Sequence, residues 1–244
     1  MTTNAVSRPN AADQNEKTIL RYTFGERVNH WIGALSYTYL LVTGLAFWSP
    51  YLYWLAAVVG GGPIARAWHP WFGLIFTASL FWTFLEWRGD MRIGEADRAW
   101  AKAIPDYIKN EDDKLPPVGR FNYGQKLFFW GIFYSIILLL LSGVVLWYTE
   151  TLPWSLRYLR YTAILVHVSV ALITIGLFLI HVYMSAVLEE GSFGSMIHGY
   201  VTRAWAWTFH RTWYYDITGK SRTQPPLPES LPKQSLPKPS LPKQ

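Results

Sequence analysis

Four long apolar stretches, at residues 31–49, 67–87, 127–149 and 161–188, dominate the chain. Within them Glu86 is the one residue of the Asp, Glu, Lys and Arg types. Each stretch has about the 20 residues that a helix needs to cross a hydrocarbon core of ~30 Å. The pattern therefore predicts an all-α membrane protein built as a bundle of four transmembrane helices.

The segments outside these stretches are polar, and they divide the chain into three parts. Residues 1–20 form a polar N-terminal segment, 21–222 the membrane domain, and 223–244 a repeat of Ser-Leu-Pro-Lys units. A proline at every fifth position prevents a regular helix, so we expect this tail to be disordered. Between the second and third stretches, residues 96–108 have the pattern of a short amphipathic helix.

Basic residues set the expected orientation in the membrane. Of the 22 Lys and Arg residues, 19 fall on the side of the bundle that holds both termini, and three fall on the other side. Loops rich in Lys and Arg stay in the cytoplasm, so both termini are expected there. The net charge of +6 then reflects orientation, and no nucleic-acid partner is expected.

Composition limits the chemistry that the chain can perform. Cysteine is absent, so the chain itself offers no thiolate ligand for an iron–sulfur cluster and no cysteine nucleophile. If the protein carries electrons, it must do so through a cofactor that other side chains hold.

Histidines are the candidate ligands for such a cofactor. His167 and His181 are fourteen residues apart on the fourth stretch, which is about 21 Å of helix rise and about 40° around the axis. His30 begins the first stretch at the cytoplasmic side, and His69 begins the second at the outer side. Matching depths predict the pairs His30/His181 and His69/His167. Two imidazole pairs at two depths of a four-helix bundle are the arrangement that holds two haems b.

Other interpretations of the histidines remain open at this point. Buried histidines also occur as hydrogen-bonded pairs, and transporters use them for protons or metal ions. Such transporters usually add a buried Asp or Glu, and the apolar stretches have none at mid-depth. His198 and His210 lie in the polar C-terminal part, where we expect solvated surface residues.

Several short motifs around these histidines are similar to one family. The sequence resembles the cytochrome b (gamma) subunit of membrane-bound formate dehydrogenases over about residues 20–215. The related cytochrome b subunit of nickel–iron hydrogenases is the main alternative within the same superfamily. The motifs that carry the resemblance are RYTFGERVNHW (21–31), His69-Pro70, GRFNYGQK (119–126), Ser142-Gly143, the pair His167 and His181, and GYVTRAW (199–205).

The resemblance implies a multi-pass subunit of the bacterial cytoplasmic (inner) membrane. Its expected partners are an iron–sulfur (beta) subunit and a molybdenum- or tungsten-pterin catalytic (alpha) subunit, on which formate is oxidised. Electrons would pass from the iron–sulfur subunit to the haem at His69/His167, then to the haem at His30/His181, and then to membrane quinone. The chain is thus expected to be the quinone-reducing, electron-transfer subunit of an oxidoreductase.

The resemblance also assigns further residues near the cytoplasmic face. It places quinone beside His181 and the loop residue Asn122. From its position in the same loop, Gln125 is a weaker candidate for this pocket. From the sequence alone, Asn122 has an equal claim to be a helix N-cap. Arg27 and Arg120 are candidates for haem propionates, or they anchor the cytoplasmic side. A histidine-based membrane transporter is the alternative from a different functional class.

Overall fold

The computed structural model describes residues 18–109, 114–189 and 191–219. The repeat tail and most of the polar N-terminal segment lie outside these described residues. In chain order the elements are β1 (Thr18–Leu20), α1 (Phe24–Trp48), α2 (Leu55–Val58), α3 (Gly62–Trp87), α4 (Glu95–Lys102), α5 (Ile104–Ile108), α6 (Tyr123–Trp147), α7 (Arg157–Tyr183), α8 (Ser192–His198), β2 (Tyr200–Thr202), α9 (Arg203–Phe209) and α10 (Arg211–Thr218).

Each of the four apolar stretches forms one long helix, and each helix begins earlier than the apolar pattern predicts. These helices are α1, α3, α6 and α7, with 25, 26, 25 and 27 residues. The additional turns contain polar residues such as Glu26 and Asn29, which hydrogen-bond within the fold instead of facing lipid. Hydrophobicity alone therefore placed the helix starts four to seven residues too late.

Capping interactions fix two of these starts. At α1 the Thr23 hydroxyl accepts from the Glu26 backbone N–H, and the Glu26 carboxylate accepts from the Thr23 N–H at 2.7 Å. At α6 the side chains of Asn122 and Gln125 make the same reciprocal pair. Both are capping boxes, which satisfy backbone donors that the first helical turn leaves free.

Three segments are long and apolar enough to cross a membrane: Phe24–Trp48, Tyr123–Trp147 and Trp154–Leu188. The helix α3, with 26 residues, is also long enough to cross, but its hydropathy is lower because it contains four tryptophans, His69 and Pro70. The protein is therefore a mostly helical membrane protein, and the crossing by α3 is part of the proposal below.

The long helices pack as two antiparallel hairpins. Helix α1 packs on α3 and α6 packs on α7, while α3 also touches α6, and α1 and α7 meet only marginally. One residue from each helix, Tyr37, Phe76, Ile136 and Phe178, contributes to an apolar cluster in the centre of the bundle. Outward-facing side chains such as Leu35 are 67% exposed, as lipid-facing residues must be.

Short elements cover the end of the bundle at which the described part of the chain begins and ends. The strand β1 pairs antiparallel with β2, with Thr18 opposite Thr202 and Leu20 opposite Tyr200. This pairing ties the end of the predicted polar N-terminal segment to the C-terminal part of the fold. The predicted helix 96–108 is instead two helices, α4 and α5, with Pro105 in the first turn of α5.

Candidate functional site

Both predicted histidine pairs are brought together, one near each end of the bundle. The ring centroids of His30 and His181 lie 6.3 Å apart, and those of His69 and His167 lie 6.4 Å apart. In each pair one ring comes from the first hairpin and one from α7, and all four rings are half-buried. The two pairs therefore lie where the hairpins face each other.

The pair geometry fits one metal ion between two imidazoles. Two metal–nitrogen bonds of about 2 Å, extended by the radius of each ring, separate the centroids by about 6 Å. Among the described residues there is no group of three or more His, Cys, Asp or Glu side chains that would hold a metal ion by themselves. Two imidazole ligands without a third protein ligand are what an iron already held by a porphyrin requires.

From the orientation expected from the sequence, His69/His167 is named the outer pair and His30/His181 the inner pair. Hydroxyl groups from neighbouring helices orient the outer pair. The Thr43 hydroxyl lies 2.6 Å from Nδ1 of His69, and the Ser142 hydroxyl lies 2.9 Å from Nδ1 of His167. Each hydroxyl also donates to a carbonyl one turn back on its own helix. Its oxygen therefore accepts from Nδ1–H, which leaves Nε2 of each ring as the nitrogen with a free lone pair.

Aromatic side chains contact both rings of the inner pair, His30 and His181, and Phe47 makes a similar contact with His69 of the outer pair. His181 stacks on Phe128, with centroids 4.5 Å apart and ring planes 11° from parallel. His30 contacts the edge of Trp31. Nδ1 of His30 is buried without a hydrogen-bond partner within the described part of the chain. The two pairs thus have similar spacing and different surroundings.

Glycines adjoin the outer pair. A Cβ atom at Gly143 would lie 3.3 Å from Cε1 of His167, and one at Gly44 would lie 3.9 Å from Cε1 of His69. At Gly73 and Gly176 an added Cβ would meet nothing within 4 Å. The contact at Gly143 is tight and that at Gly44 is an ordinary van der Waals contact, while the open space at Gly73 and Gly176 would leave room for a flat group between the helices.

The predicted quinone residues lie at the start of α6. Asn122 is buried, and its side-chain oxygen accepts from the Gln125 backbone N–H at 2.9 Å. This is the N-cap role that the sequence left open, and Gln125 completes the capping box. Phe128, further along the same helix, stacks on His181. A quinone role for Asn122 and Gln125 stays a prediction.

The two arginine candidates have different environments. Arg120 pairs with Glu26 at 2.5 Å and with Asp90 at 3.4 Å. Arg27 donates to the Ile197 carbonyl, but its Nε is buried without a partner among the described residues. Arg27 also lies one turn before His30 on α1, so it is the better placed of the two for an anionic group at the inner pair.

The expectation for His210 is wrong: its side chain is fully buried. Nδ1 of His210 donates to the Gly119 carbonyl at 2.9 Å, and Nε2 lies 3.4 Å from an Arg21 guanidinium nitrogen. Trp205 and Trp213 pack around both side chains. Burial lowers the pKa of Arg21 and lowers that of His210 well below its usual value. His198 is exposed, as expected.

Sequence reasoning also missed a buried acidic residue after α7. After α7 the chain makes a π-helical turn, Met184–Leu188, and Glu189 follows it. Glu189 is 2% exposed, and its carboxylate accepts from the Tyr107 hydroxyl at 3.1 Å. Turns of this kind inside or after α-helices are frequent at functional sites. In the sequence, the feature that could have pointed to this site is an acidic residue directly after the apolar stretch 161–188.

The known proteins to which this chain is similar have closely related names. The cytochrome b556(fdo) subunit of formate dehydrogenase from Escherichia coli (strain K12) is 36% identical over 201 residues, which cover 82% of this chain and 93% of that protein. The nitrate-inducible cytochrome b556(Fdn) subunit from the same strain is 33% identical over 204 residues, covering 82% and 92%. The formate dehydrogenase cytochrome b556 subunit of Haemophilus influenzae (strain ATCC 51907 / DSM 11121 / KW20 / Rd) is 34% identical over 203 residues, covering 82% and 84%. The sequence model of the prokaryotic cytochrome b561 family matches residues 21–199, and the chain therefore belongs to that family.

Proposed function

We propose that this chain is the dihaem cytochrome b subunit of a formate dehydrogenase, and that it passes electrons from an iron–sulfur subunit to membrane quinone. The observation that carries the proposal is that two histidine pairs lie at opposite ends of an apolar bundle. The ring centroids within the pairs are 6.3 Å and 6.4 Å apart. The family and the formate dehydrogenase relatives favour this activity over a histidine-based transporter.

The four histidines would hold two haems b, with His69 and His167 at the outer site and His30 and His181 at the inner site. A haem whose iron is bound by two imidazoles supplies one-electron exchange and has no open position for a substrate. Thr43 and Ser142 fix the ring orientation of the outer ligands. Phe128 holds the plane of His181.

The bundle holds the two proposed haem sites at different depths of the membrane. His167 and His181 are separated by about 21 Å of helix rise, and the apolar cluster around Tyr37 and Phe178 fills the space between the two levels. This cluster excludes water from the centre, so electrons move between fixed groups in a medium of low dielectric constant. Electrons that enter at the outer face are delivered at the cytoplasmic face.

Quinone would be reduced beside the inner site. The capping interaction of Asn122 uses its amide oxygen, so the proposal assigns the amide nitrogen as donor to a quinone carbonyl. His181 lies on the same side of the membrane domain, and Gln125 lies one turn into α6. Arg27 is the candidate to pair with a haem propionate at this level, and Arg120, which is paired with Glu26, is the weaker one.

The proposal includes the topology and the partners. Residues 21–222 form the membrane domain in the bacterial cytoplasmic membrane, α3 crosses with the other three helices, and both termini are cytoplasmic. An iron–sulfur subunit would dock at the outer face and connect to a molybdenum- or tungsten-pterin subunit that oxidises formate. Inward electron flow with proton uptake from the cytoplasm would then build membrane potential.

The test is the reduction of haem and quinone by formate in the purified complex. We expect formate to reduce two haems b and a water-soluble quinone analogue. In His181→Ala we expect one haem to remain reducible by formate and quinone reduction to be lost. His198→Ala, at an exposed histidine on the same side, is the matched control and should behave as the unmodified protein. A colourless complex, or quinone reduction that survives His181→Ala, would refute the proposal.

A further inference from the structure

The hydrogen bonds at the two histidine pairs are unequal, and this difference bears on the direction of electron flow. At the outer pair, both Nδ1 atoms lie against hydroxyl oxygens, at 2.6 Å for His69 and 2.9 Å for His167. At the inner pair, Nδ1 of His30 has no partner among the described residues, and His181 is packed against an aromatic ring.

The hydroxyl protons determine how the outer rings are polarised. The Thr43 hydroxyl donates to the Tyr39 carbonyl at 2.8 Å, and the Ser142 hydroxyl donates to the Leu138 carbonyl at 2.6 Å. With its single proton committed to a carbonyl, each hydroxyl can only accept from the imidazole. Thr43 is fully buried, so water does not compete for this contact.

An acceptor at Nδ1–H raises the basicity of the other ring nitrogen, which is the one that binds iron. A more basic ligand stabilises ferric over ferrous iron and so lowers the reduction potential. On α1 the cation Arg27 lies one turn before His30, and its Nε has no partner among the described residues, whereas Glu26 is neutralised by its ion pair with Arg120. A positive charge favours the reduced state, so it acts on the inner site in the opposite direction.

We propose that Thr43 and Ser142 are positioning residues that hold the outer haem at a lower reduction potential than the inner haem, which makes electron transfer towards the cytoplasmic face favourable. This inference rests on the proposed function, because it requires a haem at each pair. In the electron transfer concerned, the outer haem iron would be oxidised from ferrous to ferric as the inner haem iron is reduced from ferric to ferrous.

The two hydroxyls are not expected to contribute equally. The contact of Ser142 with Nδ1 of His167 is 2.9 Å long, against 2.6 Å for Thr43 and His69, and Thr43 is the more deeply buried of the two hydroxyl residues. His69 has Thr43 as its acceptor across the α1–α3 contact. Thr43→Val keeps the shape of the side chain and removes the hydroxyl, so it is the decisive variant.

The experiment is a spectroscopic redox titration of the purified complex. The remaining transition in His181→Ala identifies the outer haem. In the unmodified protein we expect two redox transitions, and the transition of the outer haem should have the lower midpoint potential. In Thr43→Val the midpoint potential of the lower transition should rise by about 59 mV. For a one-electron transfer this corresponds to about a tenfold change in the equilibrium constant between the two haems. The higher transition should stay in place.

Three variants make the outcome specific. Thr43→Ser retains the hydroxyl and should restore the original potential. Thr77→Val removes a buried hydroxyl of α3 that donates to the Gly73 carbonyl, and it should shift neither transition. Ser142→Ala should raise the midpoint potential of the lower transition by less than Thr43→Val does. If Thr43→Val loses the outer haem, the potential of Ser142→Ala tests the inference in its place.

The inference and the proposed function fail in different ways. A protein without two haems would overturn the proposed function and the inference with it. Two haems with equal potentials, a lower transition that belongs to the inner site, or a lower transition that moves in neither Thr43→Val nor Ser142→Ala would overturn the inference alone.

Discussion

Each imidazole in the apolar part of the bundle lies beside a second imidazole, and at the outer pair beside a hydroxyl as well. An ionisable ring at that depth is costly unless it has a partner. Depth and helix spacing were therefore sufficient to predict from the sequence which histidines meet. The hydroxyls of Thr43 and Ser142 were not predicted, because their contacts depend on how the helices are rotated against each other.

Gly143 gives a test of the space beside His167. A Cβ atom there would lie 3.3 Å from the ring, so the two methyl groups of Gly143→Val must displace it. We expect this variant to hold one haem per chain instead of two, measured by the pyridine haemochrome assay.

Gly131 provides the matched control on the same helix. An added Cβ there also approaches a neighbour at 3.3 Å, but this neighbour is the flexible side chain of Leu177. Gly131→Val should lose some thermal stability and retain both haems. Equal haem content in the two variants would mean that the ring position of His167 does not matter.

Asn122 allows its two assigned roles to be separated. Asn122→Ala removes the cap of α6 and should cost about 1 kcal/mol of stability. Asn122→Asp keeps an oxygen that accepts from the Gln125 N–H but loses the amide donor. If the amide binds quinone, both variants slow quinol formation and only Asn122→Ala lowers the melting temperature. Full quinone reduction in Asn122→Asp would leave the residue with its capping role alone.

At the scale of elements, the hydrophobic pattern located all four long helices, and of the short helices it located only α4 and α5, which it predicted as a single helix over 96–108. The missing helical starts contain polar residues such as Asn29, which donates to the Ser79 carbonyl on α3. The pairing of β1 with β2 joins residues far apart in the chain, so no local pattern reveals it. His210 was misjudged for the same reason: its partners Arg21 and Gly119 are distant in sequence.

The His210 cluster predicts a pH dependence for the elements that cover the inner end. Burial, together with the charge of Arg21, lowers the pKa of His210 well below its usual value, while in an unfolded chain the pKa is about 6.5. The unfolded state therefore binds the proton more readily. The contribution of His210 to stability is complete above pH 6.5 and is lost as the pH falls below it, by at most about 1.4 kcal/mol per pH unit.

Hydrogen exchange of the backbone amides in β2, α9 and α10 measures this effect. We expect faster exchange there at pH 5.5 than at pH 7.5, after correction for intrinsic rates, and little change in the centre of α6. His210→Asn removes the titrating ring and should flatten the dependence. Exchange that does not depend on pH in the unmodified protein would contradict the buried, neutral state of His210.

For the whole molecule, the open question of topology is whether α3 crosses the membrane. Tyr51 and Ile93 lie on either side of α3, and both are more than half exposed. The chain has no cysteine, so Tyr51→Cys and Ile93→Cys each introduce a single labelling site. In intact spheroplasts an impermeant maleimide should label Tyr51→Cys alone, and Ile93→Cys should react only after permeabilisation. Labelling of both from one side would mean that α3 does not cross.

The central claim is that two histidine pairs in one membrane bundle each bind a haem b. The most direct measurement is the haem-to-protein ratio of the purified subunit, combined with its reduced-minus-oxidised visible spectrum. We predict two haems b per chain, one in His69→Ala, one in His30→Ala, and none when both are replaced. A ratio of zero or one in the unmodified protein, or two haems in either single variant, would contradict this account.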